Sequence, residues 1–163
     1  MYVKNRMTKN PICIGVNNKI SEVVDIMNEK KLHRIPVVNG KKLVGLVTEG
    51  MISKNGATKA TSLSIYELNY LLSKTTVDAI MIRDVITIHE DSFLEDAALL
   101  MYKHDIGCLP VVNDDKEVVG ILTSNDVLSA FLDILGYRER GSRVCIEVKD
   151  ELGTIGSLSE IFV

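Results

Sequence analysis

Residues 36–39 read Pro-Val-Val-Asn, and residues 110–113 read Pro-Val-Val-Asn again. The same shift of 74 residues aligns Met7 with Met81, Ile12 with Ile86, Ile14 with Ile88 and Met27 with Met101. One extra residue in the second turn moves the shift to 75, after which Val44-Gly45 meets Val119-Gly120 and Thr48 meets Thr123. A match held in register over so long a stretch marks an internal duplication, and the fold follows from it.

Outward from that tetrapeptide, each copy spells the same order of elements. Short β-rich runs at 12–16 and 85–89 come first. Apolar residues then recur at helical spacing: Ile20, Val23, Val24 and Met27 in one copy, Leu94, Ala97, Ala98 and Met101 in the other. Ser92 and Glu95 have the spacing of a capping box. A hairpin follows, with strands at 35–38 and 43–47 around Asn39-Gly40, a type I′ turn signal. In the second copy, strands at 109–112 and 118–122 flank a polar turn. A helix opening near Thr48 or Thr123 closes each unit, and Gly136 is placed to cap the second. A β-α-β-β-α unit of roughly 55 residues buries too little apolar surface to stand alone. The expected fold is therefore α/β, with two such repeats packed sheet to sheet about a pseudo-twofold axis and a cleft between them. Residues 53–62 read as a polar linker. Ile65, Leu68, Leu71 and Leu72 form an amphipathic stripe suited to packing against the module or a partner.

The 163 residues are 46% hydrophobic and 25% charged, the balance of a globular protein, and enough for one domain or two small ones. No apolar run approaches the about 20 residues that span a bilayer, and no apolar stretch follows the charged start, so neither membrane insertion nor export is expected. Cys13, Cys108 and Cys145 are odd in number and fit no zinc spacing, which suits free thiols in a reducing cytoplasm. The net charge is −3, split as +7 through Ser62 and −10 beyond it. The net negative charge argues against general nucleic-acid binding. The split lets the halves attract each other, or the basic half hold an anion; scattered solvated side chains are the plain alternative.

The twofold string of strand, helix, x-Pro-Val-Val-x, turn and Val-Gly-h-h-Thr (h apolar) resembles a tandem pair of cystathionine-β-synthase (CBS) domains, a Bateman module. The resemblance covers about residues 3–135 and gives domains at 3–53 and 77–136, with 54–76 as a linker containing an amphipathic helix. It implies a regulatory unit, not an enzyme, that binds AMP, ADP, ATP or S-adenosylmethionine as a ligand and works as a homodimer.

The family's ribose-binding signature, Gly-h-h-[Thr/Ser]-x-x-Asp, is intact at Gly120-Ile121-Leu122-Thr123-Ser124-Asn125-Asp126. A carboxylate at Asp126 offers two acceptor oxygens to a ribose diol, while Thr123 and the free N–H groups of a helix start suit a phosphate. Thr-x-x-Asp is equally a capping box that needs no ligand. The first copy places Met51 where the Asp belongs, which degrades that position. By resemblance, the base pocket facing Asp126 comes from the other repeat: Thr8, Ile12 and Cys13, then Leu32, His33 and Arg34, with Ile121, Thr123 and Asn125 completing the set. Arg34 is suited to phosphate, to a surface salt bridge, or to obstructing the base. His89 and His104 lack ligand-spaced partners, so no metal is expected; Cys108 reads as a packing residue, not a nucleophile.

Residues 142–148 alternate like a strand and lead into a Gly-containing loop, similar to the opening of an ACT domain over 142–163. A CBS pair followed by ACT is the arrangement of bacterial acetoin-utilisation proteins. Three functions compete: an adenine-nucleotide sensor, a dimerisation scaffold without ligand, and an amino-acid sensor through a completed ACT domain. The sequence carries no phosphate loop, nucleophile elbow, His-Glu-x-x-His or paired Cys set. DNA binding lacks a recognition helix.

Overall fold

The computed structural model describes residues 1–60, 65–137, 146–148, 152–154, 156 and 160. It divides into two compact units, Met1–Phe131 and Leu132–Val163, and both sheets lie in the first. A two-residue strand, β1 (Thr8–Lys9), precedes the first copy. That copy consists of β2 (Ile14–Gly15), α1 (Ile20–Lys30), β3 (Arg34–Asn39), β4 (Lys42–Thr48) and α2 (Glu49–Ala60). After α3 (Ile65–Lys74), the second copy repeats the order as β5 (Ile88–His89), α4 (Leu94–His104), β6 (Cys108–Val112), β7 (Val118–Thr123) and α5 (Ser124–Ile134). In both copies the first strand runs parallel to the second, which pairs antiparallel with the third. The register slips at equivalent points, between Val37 and Val38 and between Val111 and Val112.

The copies are joined by exchange of their leading segments. Thr8 pairs with Ile121 and Lys9 with Gly120, so β1 extends the sheet of the second copy, whose order is β1-β7-β6-β5. One repeat later, the N–H groups of Leu46 and Ile82 each donate to the other's carbonyl at 2.9 Å, tying the second leader to the first sheet. A 3-10 turn at Val3–Asn5 drops Val3, fully buried, into the second core beside Ile88, Leu94, Leu109, Val111 and Leu122. The matching turn at Val77–Ala79 buries Val77, with Met81, in the first core among Ile20, Val23, Ile35 and Val47. Full burial of a Val side chain contributes about 1.5–3 kcal/mol, so each core is completed by the other copy's leader. At the far end the hairpins meet: Val118 N–H donates to Lys41 O at 3.0 Å, and Lys42 bridges Glu117.

Helix faces follow the apolar spacing, with Ile20, Val23 and Met27 buried on α1 and Leu94, Ala97 and Met101 on α4. Several local expectations are corrected. The α4 box is closed by Phe93 N–H donating to Asp96 at 3.3 Å, not by Ser92 and Glu95, because Leu94 N–H is engaged by Met1 O at 2.8 Å and helix entry moves one residue on. The first hairpin pairs Asn39 with Lys42 and has positive φ only at Gly40, the first central residue, as in a type II′ turn rather than I′. The segment read as a linker is helical to Ala60, within α2, while 61–64 lie outside the described residues. Of the amphipathic stripe on α3, Leu72 packs on the first core; the side chains of Ile65 and Leu68 lie outside the described residues.

Gly136, at φ +62, ends α5 as expected. Its N–H donates to Asp133 O at 2.9 Å and that of Tyr137 to Leu132 O at 3.1 Å, which is the Schellman pattern. Ile146–Val148 lie in no strand, and 142–145 lie outside the described residues. Among the described residues no helix is long and apolar enough to cross a membrane.

The exchange needs bare backbone where leader meets strand. A Cβ on Gly120 would collide with Met7, coming within 2.9 Å of its Cγ, and one on Gly45 would sit 2.6 Å from Met81 Sδ. Gly120→Ala and Gly45→Ala are each expected to lower stability by about 1–3 kcal/mol through overpacking. By contrast, Gly50→Ala, in open space on α2, should be neutral or stabilising by up to about 1 kcal/mol. Urea unfolding of the three variants checks the contrast.

Candidate functional site

Duplication creates two related positions, each where a β4- or β7-type strand turns into a helix opposite the other copy's leader. At the second, Thr123 and Asp126 form a complete capping box. Asp126 Oδ2 accepts from Thr123 N–H at 2.8 Å and from the Thr123 hydroxyl at 2.7 Å, while Asp126 N–H donates to Thr123 Oγ1 at 3.3 Å. Both carboxylate bonds land on Oδ2, so Oδ1 lies outside the cap. Thr8 and Ile121 face each other across the β1–β7 ladder, two residues before Thr123. Asn125 is exposed and Ile12 is 41% exposed; Leu32 packs on the first core. The half-buried Cys13 directs its thiol to Pro11 O at 3.4 Å, and burial pushes that thiol up from its ordinary range.

His33 and Arg34 line a cavity of about 480 Å³ at the first position. Its apolar wall is Leu46, Ile82, Val85, Ile86 and Ile106, and Thr48, Glu49 and Gly50 form its helix-side floor. Thr48 Oγ1 accepts from Met51 N–H at 3.3 Å, half of the box that Thr123 completes. Sequence reasoning passed over Ile82, Ile86 and Ile106 because Met51 fills the acid position, yet the shift of 74 that maps Thr8 and Ile12 onto Ile82 and Ile86 already pointed to them.

Arg34 crosses the cleft. It lies opposite Thr48 in the β3–β4 ladder, and its guanidinium rests on Gly107 of the second copy, where a Cβ would come within 2.9 Å of Nη2. The room exists because Gly107, the residue equivalent to His33, has no side chain. Beside it, His33 Nδ1 meets Glu49 Oε2 at 2.6 Å, and Glu49 N–H donates to His33 O at 2.9 Å. Cys108 is buried; burial pushes its thiol up, with the Arg34 charge acting in the opposite sense. A neutral buried thiol is a packing group. Among the described residues no group of three or more His, Cys, Asp or Glu side chains could hold a metal ion. His89 is engaged, its Nδ1 accepting from Asp91 N–H at 3.2 Å and its Nε2 reaching Asp114 at 3.0 Å.

A family model described as "CBS domain" matches residues 3–56 and 77–133. The L-aspartate semialdehyde sulfurtransferase of Methanocaldococcus jannaschii is 35% identical over 130 residues, 79% of this chain but 23% of that protein's length. The chain thus spans under a quarter of that relative. Among solved structures, the CBS domain pair of protein MJ0100 in complex with 5′-methylthioadenosine and S-adenosyl-L-methionine matches with a TM-score of 0.70 at 34% identity, over 82% of this chain and 98% of that one. CBSX2 in complex with AMP matches with a TM-score of 0.67 at 29% identity, over 82% and 97%.

With its carboxylate serving as the helix cap, Asp126→Ala is expected to cost about 1 kcal/mol of stability in ligand-free protein. Chemical denaturation without nucleotide measures it.

Proposed function

Because the chain belongs to the CBS-domain family and carries two such domains in tandem, we propose that it is a sensor whose cleft binds an adenosine-containing ligand and whose homodimer transmits the binding event. CBS pairs are regulatory units and not catalysts. The observation that carries the reading is the likeness, over most of both chains, to a CBS pair solved with two adenosine compounds. The cavity supports it. Its volume lies within the range of small-molecule pockets, about 300–1,000 Å³, and aliphatic walls meet a threonine at a helix start. At the second position the proposed contacts are Thr8, Ile12, Cys13, Leu32, Ile121, Thr123, Asn125 and Asp126, with the Asp126 Oδ1 edge taking the sugar hydroxyls.

A second reading, a dimerisation scaffold without ligand, is favoured by one observation: the Asp126 carboxylate is already held by Thr123. Both readings include a homodimer, supported by the apolar side chains that α5 leaves exposed, Leu128 at 59% and Phe131 at 37%. Their spacing of three places them on one helix face.

Titration calorimetry with AMP, ATP, S-adenosylmethionine and 5′-methylthioadenosine separates the readings. The sensor requires at least one dissociation constant below about 1 mM. A ligand at a hundred times its dissociation constant adds about 2.7 kcal/mol to stability and raises the melting temperature accordingly. If no compound does either, the scaffold stands. For the dimer, Leu128→Lys is expected to shift sedimentation toward the monomer without loss of the folded circular-dichroism signal.

A further inference from the structure

We infer that the homodimer is one-sided: two chains join through the outer helix face of the second copy, the two α4 helices packing antiparallel across a twofold axis at Leu99, and the first copies stay outside the interface. This rests on the reading that the chain works as a homodimer, and it fixes the surface and register of that contact.

Both helices of the second copy pack on one core, α4 through Leu94, Ala97 and Met101 and α5 through Val127 and Ala130. Away from that core they are apolar as well. Leu99 is 63% exposed and Tyr102 88% on α4, and α5 adds Leu128 and Phe131. Apolar side chains grouped in this way mark a contact site, and uncharged aliphatic and aromatic groups are what the centre of an interface contains.

The charges on α4 say what covers it. Glu95, Leu99 and Lys103 are all exposed, and their spacing of four places them in one line along the helix. Glu95 and Lys103 stand equally far on either side of Leu99. In a twofold contact a residue on the axis meets its own copy, and residue i meets j as j meets i. Antiparallel α4 helices crossing at Leu99 therefore set leucine on leucine, with Glu95 of each chain beside Lys103 of the other. Among the described residues Lys103 has no ion-pair partner, and Glu95 has the Met1 amine at 3.6 Å.

The duplication supplies an internal control. Shifted by 74, Glu95, Leu99, Tyr102 and Lys103 become Ser21, Asp25, Asn28 and Glu29 on α1; shifted by 75, Leu128 and Phe131 become Ser53 and Gly56 on α2. The same pairing of α1 helices would set Asp25 against Asp25, like charges on the axis. The helices of the first copy also have a neighbour already. α3 packs on α1 and α2, and just beyond its end Thr75 O accepts from Ile20 N–H at 3.0 Å. Among the described residues no helix packs on α4 and α5 in that way.

Cysteine cross-linking on the full chain tests the register. Facing positions on two packed helices come within disulfide reach. Leu99→Cys under mild oxidation by diamide is expected to give a covalent dimer; Asp25→Cys and the parent are not. Sedimentation measures the strength of the contact. Leu99→Lys should weaken the dimer at least roughly tenfold, as loss of a central contact does. Lys103→Glu should weaken it about fivefold by setting acid against acid twice. Adding Glu95→Lys to that variant should return it to within about twofold of the parent, a rescue specific to this register. All these positions are exposed, so the variants are expected to keep the parent's circular-dichroism spectrum. Cross-linking of Asp25→Cys as readily as of Leu99→Cys, no cross-linking of Leu99→Cys, or no rescue by the charge exchange overturns the one-sided interface and leaves the homodimer reading standing. A parent that sediments as a monomer throughout overturns the homodimer reading, and this inference with it.

Discussion

Two short backbone pairings carry each copy's leader onto the other copy's sheet: Thr8 and Lys9 against Ile121 and Gly120, and Leu46 against Ile82. Neither is extensive. Each covers the last strand of a copy's sheet with backbone from the other copy's leader, and each is followed into the core by a fully buried valine, Val3 or Val77. An uncovered strand edge would leave unpaired N–H and C=O groups open to association, and a core without its valine would hold a void. Exchange of leaders removes both liabilities at once. It also brings one copy's leader opposite the other copy's strand-to-helix turn, which is the geometry of a composite site.

Once formed, the two composite positions have diverged by a few side chains. Asp126 completes a capping box with Thr123 through Oδ2, so the group we propose for a sugar diol is also a structural one. At the first position the acid is gone, but Gly107 gives Arg34 room to lie across the cleft, and the paired His33 and Glu49 stand beside it. One side chain that is absent decides where another can go.

Much of this was legible in the chain. The repeated Pro-Val-Val-Asn located both middle strands, and the apolar spacing of α1 and α4 named their buried faces, because periodicity reports burial directly. The Thr-x-x-Asp spacing gave the box. Other features depend on contacts distant in sequence. Nothing in Tyr2–Thr8 says which sheet it will join, since its short, mixed composition fits either. The start of α4 moved by one residue because Met1 O captures Leu94 N–H, a bond made across more than half the chain. The direction of Arg34 was hidden for the same reason: its determinant, Gly107, lies in the other copy. The Asn39-Gly40 signal located the hairpin but not its register, as strand pairing carried Asn39 into the ladder and left Gly40-Lys41 to turn.

The exchange also has a bearing on how the chain is made. A polypeptide leaving the ribosome presents β1 long before β7 exists, so the first leader must wait until residue 121 has emerged before it can be seated, while β4 keeps a bare edge until Ile82 appears. Neither half can finish ahead of the other, and both can close only after the second copy's last strand has emerged.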